Sequence, residues 1–195
     1  YQFHTGIPSI REHGRMKPSQ LKEQLILGID PGLQLTGYGI IKSSGSNVTL
    51  MEAGVIRVSR SQTLPARLNE LYDGIVEVIS AYSLNAIAIE QLYSHYERPR
   101  TAILMGHARG VLFLAGAHAS LEVHSYAATQ VKKMLTGNGR APKDQMQRAI
   151  QMQLNLKEPP DPPDVADALA IALCHHFSSG PMAKLLLQSK SEKPK

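Results

Sequence analysis

Leu25-Ile26-Leu27-Gly28-Ile29 is an almost unbroken apolar run that ends on an acid, Asp30, and turns at Pro31-Gly32. A short run without a polar face describes a strand covered on both sides, as in the middle of an α/β sheet. Asp30 falls where such a strand surfaces, and active sites of open α/β sheets collect at strand carboxyl ends. Asp before Pro-Gly is equally ordinary turn chemistry, so this residue alone leaves both readings open. A second run, Asn85-Ala86-Ile87-Ala88-Ile89, again ends on an acid, Glu90. Two buried strands delivering carboxylates at the same end constrain the chain more than either does alone.

The segments between and after them alternate strand and helix patterns. Thr36-Gly37-Tyr38-Gly39-Ile40-Ile41 reads as a second strand, opening with glycines that allow close backbone approach. Residues 48–58 read as a third, antiparallel by hairpin after 42–47. Leu64, Leu68, Leu71, Ile75, Val78 and Ile79 recur at helical spacing around Pro65, predicting an amphipathic helix that ends near Tyr82. The long helix expected over 98–117 is apolar or small around most of its surface, so the sheet should cover one side and a second subunit the other. A brief strand at 121–124 leads to a helix over 126–135, a turn at 136–140 and, behind Pro142, a helix over 143–154. The proline-rich connector 159–163 delivers Asp164 to the start of an Ala-rich helix over 164–173. Asp164 and Asp167, three apart, share one face of its first turn. As an N-cap and a partner of the helix dipole they need no function. The apolar character of the helix, however, would hold that turn against the sheet.

At 195 residues the chain suits one domain with a proper core. We expect an N-terminal extension over 1–24, a folded domain over 25–178 and a basic tail over 179–195, the two ends being mobile arms. Met16 offers an alternative start to Tyr1. A single cysteine, Cys174, excludes an internal disulfide framework and fits a reducing cytoplasm. No apolar run reaches the roughly 20 residues that span a bilayer, so no membrane partner is expected. The net charge of +5 favours a polyanionic partner.

Asp30, Glu90, Asp164 and Asp167 are therefore the candidate site. Gathering such acids in one pocket is unfavourable unless cations neutralise them. Hard oxygen ligands select Mg²⁺ or Mn²⁺. Two such ions about 4 Å apart can activate water and shield a leaving oxygen in phosphodiester hydrolysis. With a basic chain, that chemistry reads as a nuclease.

Ile29-Asp30-Pro31-Gly32 with Thr36-Gly37-Tyr38-Gly39, Ile89-Glu90-Gln91-Leu92-Tyr93, Gly106-His107-Ala108-Arg109-Gly110, and Asp164-Val165-Ala166-Asp167-Ala168-Leu169-Ala170 together resemble the RuvC family of bacterial Holliday junction resolvases. The likeness runs over 25–177, and four motifs in the right order make it specific. It implies an α/β, RNase H-like fold: a five-stranded mixed sheet, three antiparallel strands first, flanked by helices. It implies that Asp30, Glu90, Asp164 and Asp167 are metal-binding catalytic acids. Some members carry His at the position of Asp164, which makes that acid the most replaceable. It implies two Mg²⁺ per site, with Mn²⁺ as substitute, and 5′-phosphate and 3′-hydroxyl products. A homodimer acting on four-way junction DNA, and cooperation with the RuvA–RuvB branch-migration machinery, follow from the same likeness.

The family's two basic residues near the active centre match Lys132 and Lys143, which can hold a phosphate or stabilise transition-state charge. A plain solvated face is the other reading of two lysines. Tyr93 matches an aromatic placed beside the junction crossover, where stacking on an unpaired base is worth ~1–3 kcal/mol; an aromatic after a strand is otherwise ordinary core. Arg98, Arg100, Lys133, Arg140 and Arg148 are candidate phosphate contacts without individual specificity. Cys174-His175-His176 invites a zinc reading, but helical spacing and missing partners argue against it. His107 and His124 read as structural.

Three rivals stand beside the resolvase. The Asp30-Pro31-Gly32…Gly37-Tyr38-Gly39 segment also resembles the phosphate loop of actin-like ATPases, but those need two such lobes and this chain has room for one. A catalytically silent junction-binding protein is the second. Another RNase H-like nuclease, acting on RNA–DNA hybrids or other branched DNA, is the third.

Overall fold

The computed structural model describes residues 23–92 and 99–179. Tyr93, Arg98, nearly all of the N-terminal extension and the basic tail past 179 lie outside the described residues. The elements are β1 (Gln24–Asp30), β2 (Leu35–Ser44), β3 (Asn47–Arg57), α1 (Leu64–Ser80), β4 (Ala86–Glu90), α2 (Pro99–His118), β5 (Glu122–Tyr126), α3 (Ala128–Thr136), α4 (Lys143–Gln153) and α5 (Pro163–Ser179).

The five strands form one sheet in the order β3-β2-β1-β4-β5. The first three pair antiparallel, and β4 and β5 join parallel to β1. This is the RNase H-like arrangement. Because helices cover both faces of the sheet at β1, its apolar side chains all find cover, which is why its sequence does not alternate with polar residues. They divide by parity instead. Leu27 and Ile29, with Ile40, Ile87 and Ile89 of the neighbouring strands, meet Leu71, Ile75 and Ile79 of α1 and Ala108, Leu112 and Ala115 of α2. Ile26, Ile41 and Ala88 form the opposite layer with α5, Val131 of α3 and Ile150 of α4. No helix among the described residues is long and apolar enough to cross a membrane.

The α5 side of the sheet is surfaced by small residues so that this helix can lie almost on the backbone. A Cβ built on Gly28 would stand 2.1 Å from the Ala168 carbonyl oxygen, and one on Gly37 2.1 Å from that of Asp164. These two glycines are required by close approach rather than by turn geometry.

Two expected boundaries move. β5 runs on to Tyr126, which the helical pattern had claimed for α3, because Tyr126 pairs with Glu90 and its carbonyl accepts the Gln91 amide at 2.8 Å. α5 does not stop at Leu173 but continues to Ser179, burying Cys174, His175 and His176. Its polar side chains are satisfied internally: His175 Nδ1 shares a 2.8 Å hydrogen bond with the Tyr126 hydroxyl, and His176 Nδ1 a 2.9 Å one with Ser43 Oγ. His124 packs against His175 with ring centroids 4.5 Å apart and the rings tilted by 41°, and it lies 3.3 Å from Glu122. His107 binds the Ile103 carbonyl of its own helix at 2.8 Å, as a structural histidine would.

Burial, then the neighbouring His124 and His176, hold His175 down at about 4. The unfolded chain takes up that proton near pH 6.5 while the folded chain refuses it, so protonation favours unfolding. The contribution of His175 to stability should be level above pH 6.5 and fall progressively between pH 6.5 and 4, by about 2 kcal/mol once partial solvent access is allowed for. Urea titrations across that range should show His175→Phe flattening the decline. An equal acid slope in that variant would assign the decline elsewhere.

Candidate active site

β1 and β4 are parallel and in register, with Ile29 opposite Ile89, so the residues that follow them, Asp30 and Glu90, emerge side by side. In a parallel pair, residues of equal phase point to the same face. Both acids share the parity of Gly28 and Ala88, and so face α5. That helix starts at Pro163 directly over Gly37, which is itself paired with Asp30 across β1 and β2. Sheet register and a glycine contact thus bring Glu90 and Asp167, 60 and 137 residues downstream of Asp30, to one place with it.

Asp30, Glu90 and Asp167 line one cleft of about 210 Å³, together with Lys132 of α3 and Lys143 and Gln147 of α4. The far wall is apolar, made by Val131, Met146, Ile150 and Ala170 among others. Such a wall lowers the local dielectric and strengthens every charge interaction in front of it. Burial, a hydrogen bond to Glu90 and then the charges of Glu90, Asp167 and Asp164 push Asp30 up to about 8. Glu90 is likewise raised, chiefly by burial, with Asp30's hydrogen bond and Lys132 pulling the other way. Asp167 opens to solvent at the cleft mouth, yet enough protein surrounds it to raise its carboxyl as well, against the pull of Lys143. At neutral pH the Asp30–Glu90 pair therefore retains a proton between its two carboxyls.

The donor set fits hard divalent cations. Its acids are oxygen ligands crowded enough to hold a proton, and a cation at the same oxygens relieves the same repulsion. Among the described residues no three acid, histidine or cysteine side chains already stand as a closed ion cage. Asp164 is set apart from the other three: it sits one helical turn before Asp167, acts electrostatically on Asp30 and Asp167, and lies outside the cleft lining.

Among the expected basic contacts, half-buried Lys132 and exposed Lys143 reach the cleft, whereas exposed Arg100, Lys133 and Arg140 do not line it. Arg148 is exposed and 3.9 Å from Asp144 on its own helix. Four residues given no role in the sequence reading also belong to this edge. Gln147 follows Lys143 by four on α4, and that spacing alone would have found it. Arg67 of α1 donates to the Leu33 carbonyl in the turn after Asp30. Arg109 and Ser125 meet beneath Glu90. No local pattern marks the arginine contacts, because each partner lies on another element.

Comparison with known proteins agrees with this geometry. Residues 26–175 match the family model described as crossover junction endodeoxyribonuclease RuvC. A crossover junction endodeoxyribonuclease RuvC from Rhodopirellula baltica is 59% identical over 152 residues, covering 78% of this chain and 85% of the relative. One from Alkaliphilus metalliredigens is 45% identical over 159 residues, covering 80% and 96%. Among solved structures, T. thermophilus RuvC in complex with Holliday junction substrate superposes with a TM-score of 0.76 at 32% identity, covering 80% of this chain and 94% of that one. By sequence, fold and the order of its motifs, the chain belongs to the RuvC family of crossover junction endodeoxyribonucleases.

Proposed function

We propose that this chain resolves four-way DNA junctions by metal-dependent phosphodiester hydrolysis, with Asp30, Glu90, Asp167 and Asp164 as its ion-binding acids. The observation that carries the reading is one cleft in which three acids from β1, β4 and α5 face two lysines from α3 and α4. Acids alone would repel a phosphodiester, and lysines alone would only bind it. When bound, a pair of divalent ions, Mg²⁺ or Mn²⁺ in its place, supplies an activated water and neutralises the leaving oxygen. Asp30 and Glu90 carry the carboxyl oxygens that would hold those ions, and the proton they share would leave to solvent as the ions bind. Lys132 and Lys143 hold the phosphate and offset charge in the transition state. Tyr93, Arg98, Arg100 and Arg140 serve as outer DNA contacts. Asp164 contributes from the side and is the acid whose replacement costs least.

A homodimer on α2 is part of the same proposal, with the RuvA–RuvB machinery as its partner at the junction. Ile103, Gly106, Gly110 and Leu114 are all exposed and follow one stripe of α2. Nothing lies within 4 Å of where a Cβ would stand on either glycine, so a second helix can approach closely there. A two-fold pair of sites is what paired nicks on opposing strands require. Ile103→Glu should convert a two-chain species into a single chain by sedimentation. An unchanged dimer would place the interface elsewhere.

The deciding experiment incubates a synthetic four-way junction, a linear duplex and an RNA–DNA hybrid with Mg²⁺. Paired symmetric nicks in the junction alone are expected, and cleavage of the hybrid alone would overturn the proposal. Lys143→Ala should lower the single-turnover rate about 10–100-fold. A rate within twofold of wild type would return Lys143 to a plain solvated face.

A further inference from the structure

The Gly106–Gly110 motif holds an arginine for which junction cleavage, as set out above, has no task. Arg109 leaves α2 toward the carboxyl edge of the sheet and is half-buried there. Its Nε donates to the main-chain carbonyl of Glu90 at 3.1 Å, and its Nη2 donates to Ser125 Oγ at 2.6 Å. The guanidinium carbon lies 4.5 Å from the ring centroid of Phe113, one turn further along α2. A single planar fork thus reaches the last residues of two strands at once, and the aromatic face limits its rotation. The same two strand ends meet through the Glu90–Tyr126 pair and the Gln91 amide on the Tyr126 carbonyl.

A strand terminus is where pairing ends and local opening is cheapest, yet Glu90 must present its carboxylate there. Arg109 does not line the cleft, and the two donor groups described are engaged by Glu90 and Ser125. That disposition suits neither a phosphate contact nor an ion ligand.

We propose that Arg109 is a positioning residue for Glu90: by clamping the Glu90 carbonyl and Ser125 to α2, it fixes where the Glu90 carboxylate stands in the cleft. The inference rests on the junction-cleaving reading and extends it to the support behind one acid. It also makes α2, which carries the open stripe, the element that holds this catalytic edge in place.

The test uses the full chain and compares wild type, Arg109→Gln, Arg109→Lys and Ser125→Ala. It reads single-turnover cleavage against Mg²⁺ concentration, junction affinity without divalent ions, thermal melting, and the rise in melting temperature on adding Mg²⁺. Losing the support of an ion ligand typically costs 10–100-fold in metal affinity or activity. Arg109→Gln should therefore lose about 10–100-fold in rate or Mg²⁺ affinity, with junction affinity within about twofold of wild type. Ser125→Ala keeps the Nε bond and should move the same way by only about 2–5-fold. Arg109→Lys retains charge but not the fork and should fall between. Should Arg109→Gln fail to fold, the other two variants carry the comparison. Variants that melt lower yet keep wild-type rate and Mg²⁺ dependence would make Arg109 a packing residue and overturn the proposal. Weaker junction binding with an unchanged saturating rate would make it a DNA contact and overturn it equally. If wild type itself leaves junctions uncut, the functional reading fails, while the Mg²⁺-dependent melting shift still decides the clamp: it should shrink in Arg109→Gln, and an equal shift would overturn the proposal.

Discussion

Asp30→Asn should abolish junction cleavage, by at least about 10³-fold, while junction affinity stays within a few-fold of wild type. The amide keeps the size of the side chain but can neither ionise nor offer two anionic oxygens. The same substitution should make the metal-free protein more stable at pH 8. Burial and the carboxyl of Glu90 push Asp30 up to about 8, so the folded chain holds a proton that the unfolded chain has released above about pH 4. Its stabilising contribution is present below the unfolded value and is lost as pH rises toward 8. Because Asp30 remains partly accessible, solvent screening keeps the effect near 2 kcal/mol, or about 5 °C in melting temperature. Mg²⁺ should restore wild type at pH 8 and do little for the variant. Since ion binding must displace the shared proton, the Mg²⁺ needed for half-maximal rate should fall as pH rises from 6 to 8. Cleavage by Asp30→Asn at the wild-type rate would remove Asp30 from the chemistry and favour the silent junction-binding reading.

Gly37→Ala is the second large effect, and it reaches the site without touching an acid. The new methyl would stand 2.1 Å from the carbonyl oxygen of Asp164 and 3.1 Å from its Cβ. The clash is with backbone, so the N-terminal turn of α5 has to move off the sheet, carrying Asp164 and Asp167. A misplacement of about 1 Å at a reacting centre can cost about 10²-fold, and forcing atoms into a packed layer costs about 1–3 kcal/mol. A chain that melts a few degrees lower but cleaves about 10²-fold more slowly is expected. Gly28→Ala strikes the same helix deeper, at the Ala168 carbonyl oxygen (2.1 Å) and the Ala172 amide (2.7 Å), and should cost more stability. Full activity in Gly37→Ala would mean that the seat of α5 on β2 does not set the acid geometry.

The sequence by itself determined the elements and the chemistry they carry. Strand-length apolar runs ending in Asp30 and Glu90, and an apolar helix opening with Asp164 and Asp167, are local patterns, and burial rewards them wherever the chain folds. Boundaries failed where a partner outside the segment decided them: Tyr126 joined β5 because Glu90 pairs with it, and α5 ran on because Tyr126 and Ser43 satisfy its histidines. Only the tertiary structure decided which acids share a cleft. The parallel register of β1 and β4 sets Asp30 beside Glu90, and the glycine floor brings Asp167 onto them while leaving Asp164 at the side. The Arg109 clamp and the apolar wall behind the acids belong to the same level. They depend on contacts between residues far apart in the chain, and no window along it contains both partners.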